Sequence, residues 1–546
     1  MYSNQAISSS TGNILITGIS YASRGISQDG TTTASAGNVT LNGTTTNQYG
    51  VYTSALITAN NITVTGTAST AVAGWVVQVN AMTINSGSTG GDITITATGA
   101  AAGGGNGLYQ SGAITGANGS DITFTSNNSI SQNGAITLAA NTSGNTAALT
   151  YDATSGNRLS TILSGALTLT AGSSSDINFV MKSAGSAINP GAIGSSSVRL
   201  PGTVTLDNTY QSGGSSGYIT TSNIATYATT SVGVTINNAI YSTKLISVKG
   251  IANASQGINY TAVINASAGG VELTGTTTNN YGIYTSNAAL ITANYITING
   301  YASATVAGWI DYIGALTINS GATGGDIAIT ATGAAAGGGN GLYQSGAISA
   351  ANGSDITFTS NNSISQNGAI TLAANTNATS RIFYDTTTGN KLSSIYGVGV
   401  TLTSGSNQDV NYTMIAAGGS LQIAGAVAVN GVVNLDNPYG GTAGVGGTPT
   451  SGYITTANYS TLATTGHAVQ TTTGALSAVK GVTINAISYG NYGLYSTQAI
   501  SSSTGNIVVT GISFANRGIS QDGTTTASTG NVTLNGTTTN QYGVYT

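Results

Sequence analysis

The sequence predicts an all-β fold: a single-stranded β-solenoid whose coils, about 20–25 residues each, wrap once around a common axis and hydrogen-bond to the coil before. Three observations predict it. The chain repeats itself almost word for word, short apolar runs alternate with threonine, and the composition supplies turns and strands but little helix.

The repetition comes first, because arrays bury their core by stacking neighbours. Tyr2 to Thr53 reads YSNQAISSSTGNILITGISYASRGISQDGTTTASAGNVTLNGTTTNQYGVYT, and Tyr495 to Thr546 repeats it with a few changes at a constant shift of 493. A looser copy begins at Tyr241 and closes on GTTTNNYGIYT. The segment INSGSTGGDITITATGAAAGGGNGLYQSGAIT at Ile84 has a twin at Ile318, a shift of 234 that also carries Trp75 onto Trp309. These shifts predict one continuous array without linkers: long repeats at 1–240 and 241–494, and the start of a third at 495–546. GYITT occurs at Gly217 and Gly452; from there Tyr218 lies 23 residues before Tyr241, and Tyr453 lies 42 before Tyr495. The difference of 19 reads as one added short coil.

Within the long unit, apolar–Thr–apolar runs recur, as at Val39-Thr40-Leu41, Ile62-Thr63-Val64, Met82-Thr83-Ile84, Ile93-Thr94-Ile95, Ile122-Thr123-Phe124 and Ile136-Thr137-Leu138. A period of two in Val, Ile and Thr, bounded by Gly, Asn or Ser, is a short strand. A second signal lies about 12 residues downstream within a coil: Gly50-Val51-Tyr52, Gly107-Leu108-Tyr109, Gly282-Ile283-Tyr284, Gly341-Leu342-Tyr343, Gly493-Leu494-Tyr495 and Gly543-Val544-Tyr545. Two or three strands per coil follow, joined at corners where Gly and Asn tolerate unusual backbone angles. No long 3.6-period stripe appears.

Composition narrows the function. The chain has 79 Gly, 4 Pro, no Cys and only 4% charged residues, yet is 40% hydrophobic; a disordered chain of such polarity would be charged and poor in β-branched residues. Its net charge of -4 and scattered basic residues argue against a nucleic-acid partner. No apolar run is long enough to span a membrane, and the opening Met1-Tyr2-Ser3-Asn4-Gln5 is not a signal peptide. The chain starts and stops inside a repeat without a polar cap. It is therefore expected to be a stretch of a longer array, or a subunit whose ends are covered by neighbours and which self-associates into filaments.

In its texture, N-ϕ-T-ϕ-x-G strands, long Gly/Ala/Ser/Thr/Asn-rich stretches and no Cys, the whole chain resembles filamentous-haemagglutinin-type adhesins and autotransporter passengers. That resemblance implies a right-handed parallel β-helix, export across a bacterial envelope, and an extracellular or cell-surface role in adhesion, aggregation or biofilm. It carries over no functional residue.

The candidates for chemistry are few. Asp92 and Asp121, with twins at Asp326 and Asp355, each precede a strand and read as turn residues accepting backbone N–H bonds. Glu272 is the single Glu and His467 the single His; His467 has no evident partner in sequence. No catalytic residue, metal ligand set or cofactor motif is read, and the chain is expected to be no enzyme. Thr40, Thr63, Thr83, Thr94, Thr123, Thr137, Thr168 and Thr205 are expected to point outward, opposite inward apolar neighbours. They would form one column that either pairs across coils or, as flat Thr arrays do in some solenoids, binds ice. The tyrosines of the Gly–apolar–Tyr signal, Tyr52, Tyr109, Tyr284, Tyr343, Tyr495 and Tyr545, are expected to face out. There they form a stabilising ladder or contact a glycan or another protein surface. Trp75 and Trp309, in AGWVVQV and AGWIDYI, are expected in the core.

Overall fold

The computed structural model describes all residues but 71–73, 86–89, 101–104, 171, 212–216, 286–288, 305–307, 320–323, 335–339, 377, 403–405, 441–451 and 455–458. Parts of the repeated Gly- and Ala-rich stretches, 101–104 and 335–339, thus lie outside the described residues. The chain forms two compact units, Met1–Thr278 and Asn279–Thr546. The boundaries drawn from the long repeat, at 240/241 and 494/495, each fall within a strand, Ile240–Ser242 and Leu494–Ser496.

Both units are parallel β-solenoids. A typical coil runs Ile26–Gln28, Thr32–Ala34, Val39–Thr45, and each of its three strands joins a different sheet. Within the coils consecutive strands do not pair; each pairs with the strand one full coil away. Ile14 sits beside Val39, Val39 beside Ile62, Ile62 beside Ile93 and Ile93 beside Ile122. Parallel pairing requires a crossover connection, and the other two strands of the coil supply it. We name the sheets by their content: a tyrosine face (Val51–Thr53, Asn106–Gln110, Ile283–Thr285), a short face (Ile57–Ala59, Met82–Ile84, Leu290–Ala293) and a long face (Ile62–Ala68, Ile93–Thr98, Ile296–Ala302).

The alternation predicted from sequence holds along these strands. In Ile62–Ala68 every second residue is buried and those between are partly exposed. Inward Ile and Val columns form the core, and on the long face the column turns aromatic. In the first unit Phe124 stacks on Tyr151 at 4.9 Å and Phe179 follows, tilted, at 5.7 Å; in the second Phe358 stacks on Tyr384 at 4.8 Å and Tyr412 follows, tilted, at 5.6 Å. All six are fully buried. The buried tyrosines keep their hydroxyls paired where glutamine is near: Tyr151 donates to Gln132 Oε1 at 2.9 Å and Tyr384 to Gln366 Oε1 at 3.0 Å.

Glycine serves two ends: Gly119, Gly185, Gly353 and Gly418 take the positive φ expected of turn glycines, and others are needed for close approach. The repeated pairs Gly18/Gly25 and Gly43/Gly50 do not have positive φ. They sit where the long strand bends toward the tyrosine face, and a Cβ on Gly43 would run into the carbonyl of Gly50. Close approach, not backbone angle, excludes side chains there.

Three expectations need correction. The apolar–Thr–apolar runs belong to two sheets, since Ile62–Ala68 lies on the long face but Met82–Ile84 on the short one. Their irregular spacing combines the interleaving of two series with coils of unequal length: on the short face Met82 pairs with Ile114, 32 residues on, but Ile114 pairs with Ile136, only 22 on. The alignment of Tyr241 with Tyr2 and Tyr495 crosses faces: Tyr241 lies in a short-face strand, the other two in tyrosine-face strands. The 19-residue difference is therefore a change of face, not a whole added coil.

Each unit also contains an excursion that carries no helical period in sequence. After Val204–Asp207 the chain leaves the coil, pairs Tyr210 antiparallel with Tyr218, forms the single-turn helix Ile224–Tyr227, and re-enters at Val234–Ile236. In the second unit Tyr439–Gly440 pairs antiparallel with Gly452–Tyr453, and the helix is Tyr459–Leu462. Ile219, Ile224 and Ala228 pack on Ile251, and Ile454 and Ala463 pack on Ile487. A buried asparagine pins each excursion. Asn208 Nδ2 donates to the carbonyls of Ser186 (3.0 Å) and Ile251 (2.9 Å), while its Oδ1 accepts the Ile251 N–H (2.7 Å). Asn437 repeats this with Gly419 and Ile487.

Candidate functional site

The outward side of the tyrosine face is the most chemically distinctive surface. It is built by phase: in Val51–Thr53 the inward Val51 is fully buried, so Tyr52 points out and is partly exposed. The same geometry places Tyr109, Tyr284, Tyr343 and Tyr495 on this face, each partly exposed beside a buried aliphatic residue, and leaves Tyr545 42% exposed. All six predicted tyrosines therefore lie on one kind of sheet.

Register gathers them into columns. In the first unit Tyr52, Gln78, Tyr109 and Ser131 stand in successive coils. In the second, Tyr284, Tyr312, Tyr343, Ser365, Tyr396 and Gln422 do. A second aromatic row flanks the column three residues upstream. Tyr49 meets Tyr52 edge-on at 5.4 Å, Tyr281 lies 5.0 Å from Tyr284, and Tyr492 stacks on Tyr495 at 5.3 Å. Trp75 and Trp309 belong to this row, contrary to the expectation that they are core. Both are partly exposed, 5.3 Å from Tyr109 and Tyr343 respectively, and Val76 and Ile310 take the buried positions beside them. Guanidinium groups cap the rings elsewhere, Arg24 over Tyr52 at 3.9 Å and Arg517 over Tyr545 at 3.7 Å. His467, which seemed isolated in sequence, stacks on Tyr492 and Tyr495 at 5.1 and 5.0 Å, and burial lowers its pKa.

The threonines divide between two faces. Thr40, Thr63, Thr94 and Thr123 form one register column on the long face, and Thr83, Thr137 and Thr168 stand on the short face. All four of the long-face residues are partly exposed. A parallel column reads Asn42, Thr65, Thr96 and Thr125, and the array then gives way to Asp152 and Lys182.

The repeated acids behave as the sequence suggested. Asp92 Oδ1 accepts the N–H of Asp121 at 3.0 Å, and Asp121 Oδ1 accepts that of Ala148 at 2.7 Å. Asp326 and Asp355 repeat the pattern toward Asp355 and Arg381, both at 2.9 Å. Burial and the nearby Asp92 push the Asp121 carboxyl up, against the Ala148 N–H that lowers it. One acid escaped sequence reasoning. Asp311 lies wholly buried in the inward column between Ile283 and Leu342, where the first unit has Val77. Its Oδ1 accepts the Ile283 N–H at 3.1 Å and its Oδ2 has no hydrogen-bond partner among the described residues; burial drives its pKa well up, against the lowering effect of the Ile283 and Gly300 backbone.

The second unit also has a hollow of about 620 Å³ on its tyrosine face, lined among others by Trp309, Asn340, Ser365, Tyr396 and Gln422. Among the described residues no group of three or more His, Cys, Asp or Glu is placed to hold a metal ion, and no helix is long and apolar enough to cross a membrane. Comparison with protein-family models, with curated proteins and with solved structures finds no match to this chain.

Proposed function

We propose that the chain is a structural, adhesive solenoid of a bacterial surface: an extracellular, non-enzymatic rod whose repeated faces make many weak contacts with cells, glycans or further copies of itself. One observation carries this reading. Equivalent coils of the two units present the same partly exposed rings on the same face, Tyr52 and Tyr109 in one and Tyr284 and Tyr343 in the other. Equivalent patches on one chain add their binding as avidity, and exposed amphipathic rings suit sugars and protein surfaces alike. The textural resemblance to secreted repeat adhesins points the same way and supplies the expectation of export. The repeated acids support a non-catalytic role, because they are engaged as acceptors for the next coil's N–H.

The test is attachment. Beads coated with the full chain should aggregate or bind bacterial and host cells. Tyr→Ser changes at Tyr52, Tyr109, Tyr284 and Tyr343 should weaken attachment stepwise, and the fourfold variant should lose it while keeping its β-sheet circular dichroism. Beads that stay dispersed, or a fourfold variant that binds undiminished, would sink the proposal. Electron micrographs of the same material distinguish the two forms of the role: axial polymers indicate a filament subunit, single particles a rod-like adhesin.

A further inference from the structure

The tyrosine ladder of the second unit has a missing rung. Tyr284, Tyr312 and Tyr343 stack at 5.5 and 4.8 Å, so one ring occupies one coil step of about 4.8 Å. In the next coil the column position is Ser365, and the ring returns one coil later at Tyr396. Tyr343 and Tyr396 are thus two steps apart, about 9.6 Å, with space for one further ring between them. The hollow of about 620 Å³ opens at this place. Trp309, packed on Tyr343, and Tyr396 line it, together with Ser365, Asn340 and Gln422.

Two features select the occupant. The aromatic side chains favour a ring with apolar faces. The polar groups favour a ring that carries hydrogen-bonding groups on its edge: the side-chain amides of Asn340 and Gln422 form no hydrogen bond with any described residue, and both residues are partly exposed at the hollow. A purely aromatic guest would leave these amides to water. None of the described residues lining the hollow is charged. We propose that the hollow binds one pyranose ring of a neutral glycan, held between Trp309 and Tyr396 and hydrogen-bonded by Asn340, Ser365 and Gln422. The first unit provides the internal contrast. At the matching coils it has Trp75, Tyr109 and Ser131, but Leu163 where Tyr396 stands and Asn189 where Gln422 stands. It lacks the second aromatic side chain and is assigned no such site.

This proposal rests on the reading of the tyrosine face as the contact surface, and the experiment separates the two. The full chain is applied to an array of neutral glucose-, mannose-, galactose- and N-acetylglucosamine-based oligosaccharides, with sialylated and sulfated glycans alongside. Wild-type protein should capture at least one neutral glycan. Ser365→Tyr, which inserts the missing ring, should cut that binding at least tenfold without lowering the melting temperature. Tyr396→Ala should do the same and carries the test if Ser365→Tyr misfolds, while Leu15→Ala, at an exposed position on the long face, should leave capture unchanged. Capture of acidic glycans alone, of none, or of neutral glycans undiminished in folded Ser365→Tyr and Tyr396→Ala overturns the site. If capture survives those two changes but falls in Tyr52→Ala, the hollow is wrong and the tyrosine face stands.

Discussion

At matching positions the two units agree in register and differ in chemistry. The first has Val77 inside and Gln78 outside where the second has Asp311 and Tyr312. Ala148 answers to Arg381, Leu163 to Tyr396 and Phe179 to Tyr412. Yet the strand pairings and the inward–outward phase are the same in both. The solenoid fixes where a side chain goes, because slipping by one residue would turn the core outward. It leaves open which side chain goes there, since each coil contributes only a few inward positions. Even a buried carboxyl is carried, at the cost of a local weakness.

That weakness is where the comparison can be broken most sharply. Val77→Asp in the first unit should destabilise it by on the order of 3–5 kcal/mol, because an acid enters an apolar column with no cation to meet it. The reverse change, Asp311→Val, should stabilise the second unit by about 1–3 kcal/mol through loss of an unpaired buried oxygen. Hydrogen exchange read separately over peptides of each unit in the intact chain is the measurement. Equal protection in both exchanged variants would mean that the two columns are not equivalent environments.

The same residue sets a pH dependence. Burial raises the Asp311 pKa in the folded state, so the folded unit holds that proton more tightly than the unfolded chain. Its stability contribution is complete below the ordinary carboxylate value of 3.8 and is lost as pH rises from there through the folded pKa. Asp436, raised by burial to about 6 against the lowering effect of Asn485, acts with the same sign between 3.8 and about 6. Exchange protection of the second unit should therefore fall as pH rises over that window, after correction for the intrinsic exchange rate. Asp311→Val should make the fall shallower and leave the part set by Asp436 between 3.8 and about 6. A fall that is unchanged in Asp311→Val would assign it to other groups.

Next in size are the excursions. Asn208→Ala and Asn437→Ala each strip the partners from one buried N–H and two carbonyls. Each should cost about 1–3 kcal/mol, confined to the hairpin, its helix and the strand it covers. Exchange should rise over 208–228 in one variant and over 459–463 in the other, with the remaining coils protected. Spread of the loss through a whole unit would show that the excursion helps hold the coils together.

What the sequence disclosed follows from which signals are local. Ile62-Thr63-Val64 declares a strand within three residues, so strand existence and phase were legible, and with them the outward tyrosines. Which sheet a strand joins depends on a partner one coil away, so Met82-Thr83-Ile84 looks like Ile62-Thr63-Val64 while lying on a different face. The helices, four residues each, are too short to show a 3.6-residue period. The buried Tyr151 did leave a signal, since it is in phase with Leu149 in Ala147–Ala153, a strand with buried residues at every second position. Asp311 could have been found by laying Val77-Gln78-Val79 against Asp311-Tyr312-Ile313. The hollow at Ser365 could not, because it is defined by side chains two coils away on either side in space and tens of residues away in sequence.

The smallest difference tests whether the surface chemistry of the two units is as interchangeable as their backbones. In the second unit Arg381 gives Asp355 both its backbone N–H and a side-chain contact, Nε to Oδ2 at 3.1 Å. In the first, Ala148 gives Asp121 the backbone N–H alone, and burial keeps that carboxyl raised. Ala148→Arg should bring a guanidinium to the same place and lower the Asp121 pKa toward the ordinary range, as a nearby cation favours the charged carboxylate. A carbon-13 NMR titration of the aspartate carboxyls reads the shift directly. The stability change should stay within about 0.5 kcal/mol, because the pair is solvated and the long side chain loses freedom on binding. An Asp121 titration that does not move would mean that the neighbouring coil surfaces, and not residue 148 alone, decide where the added arginine points.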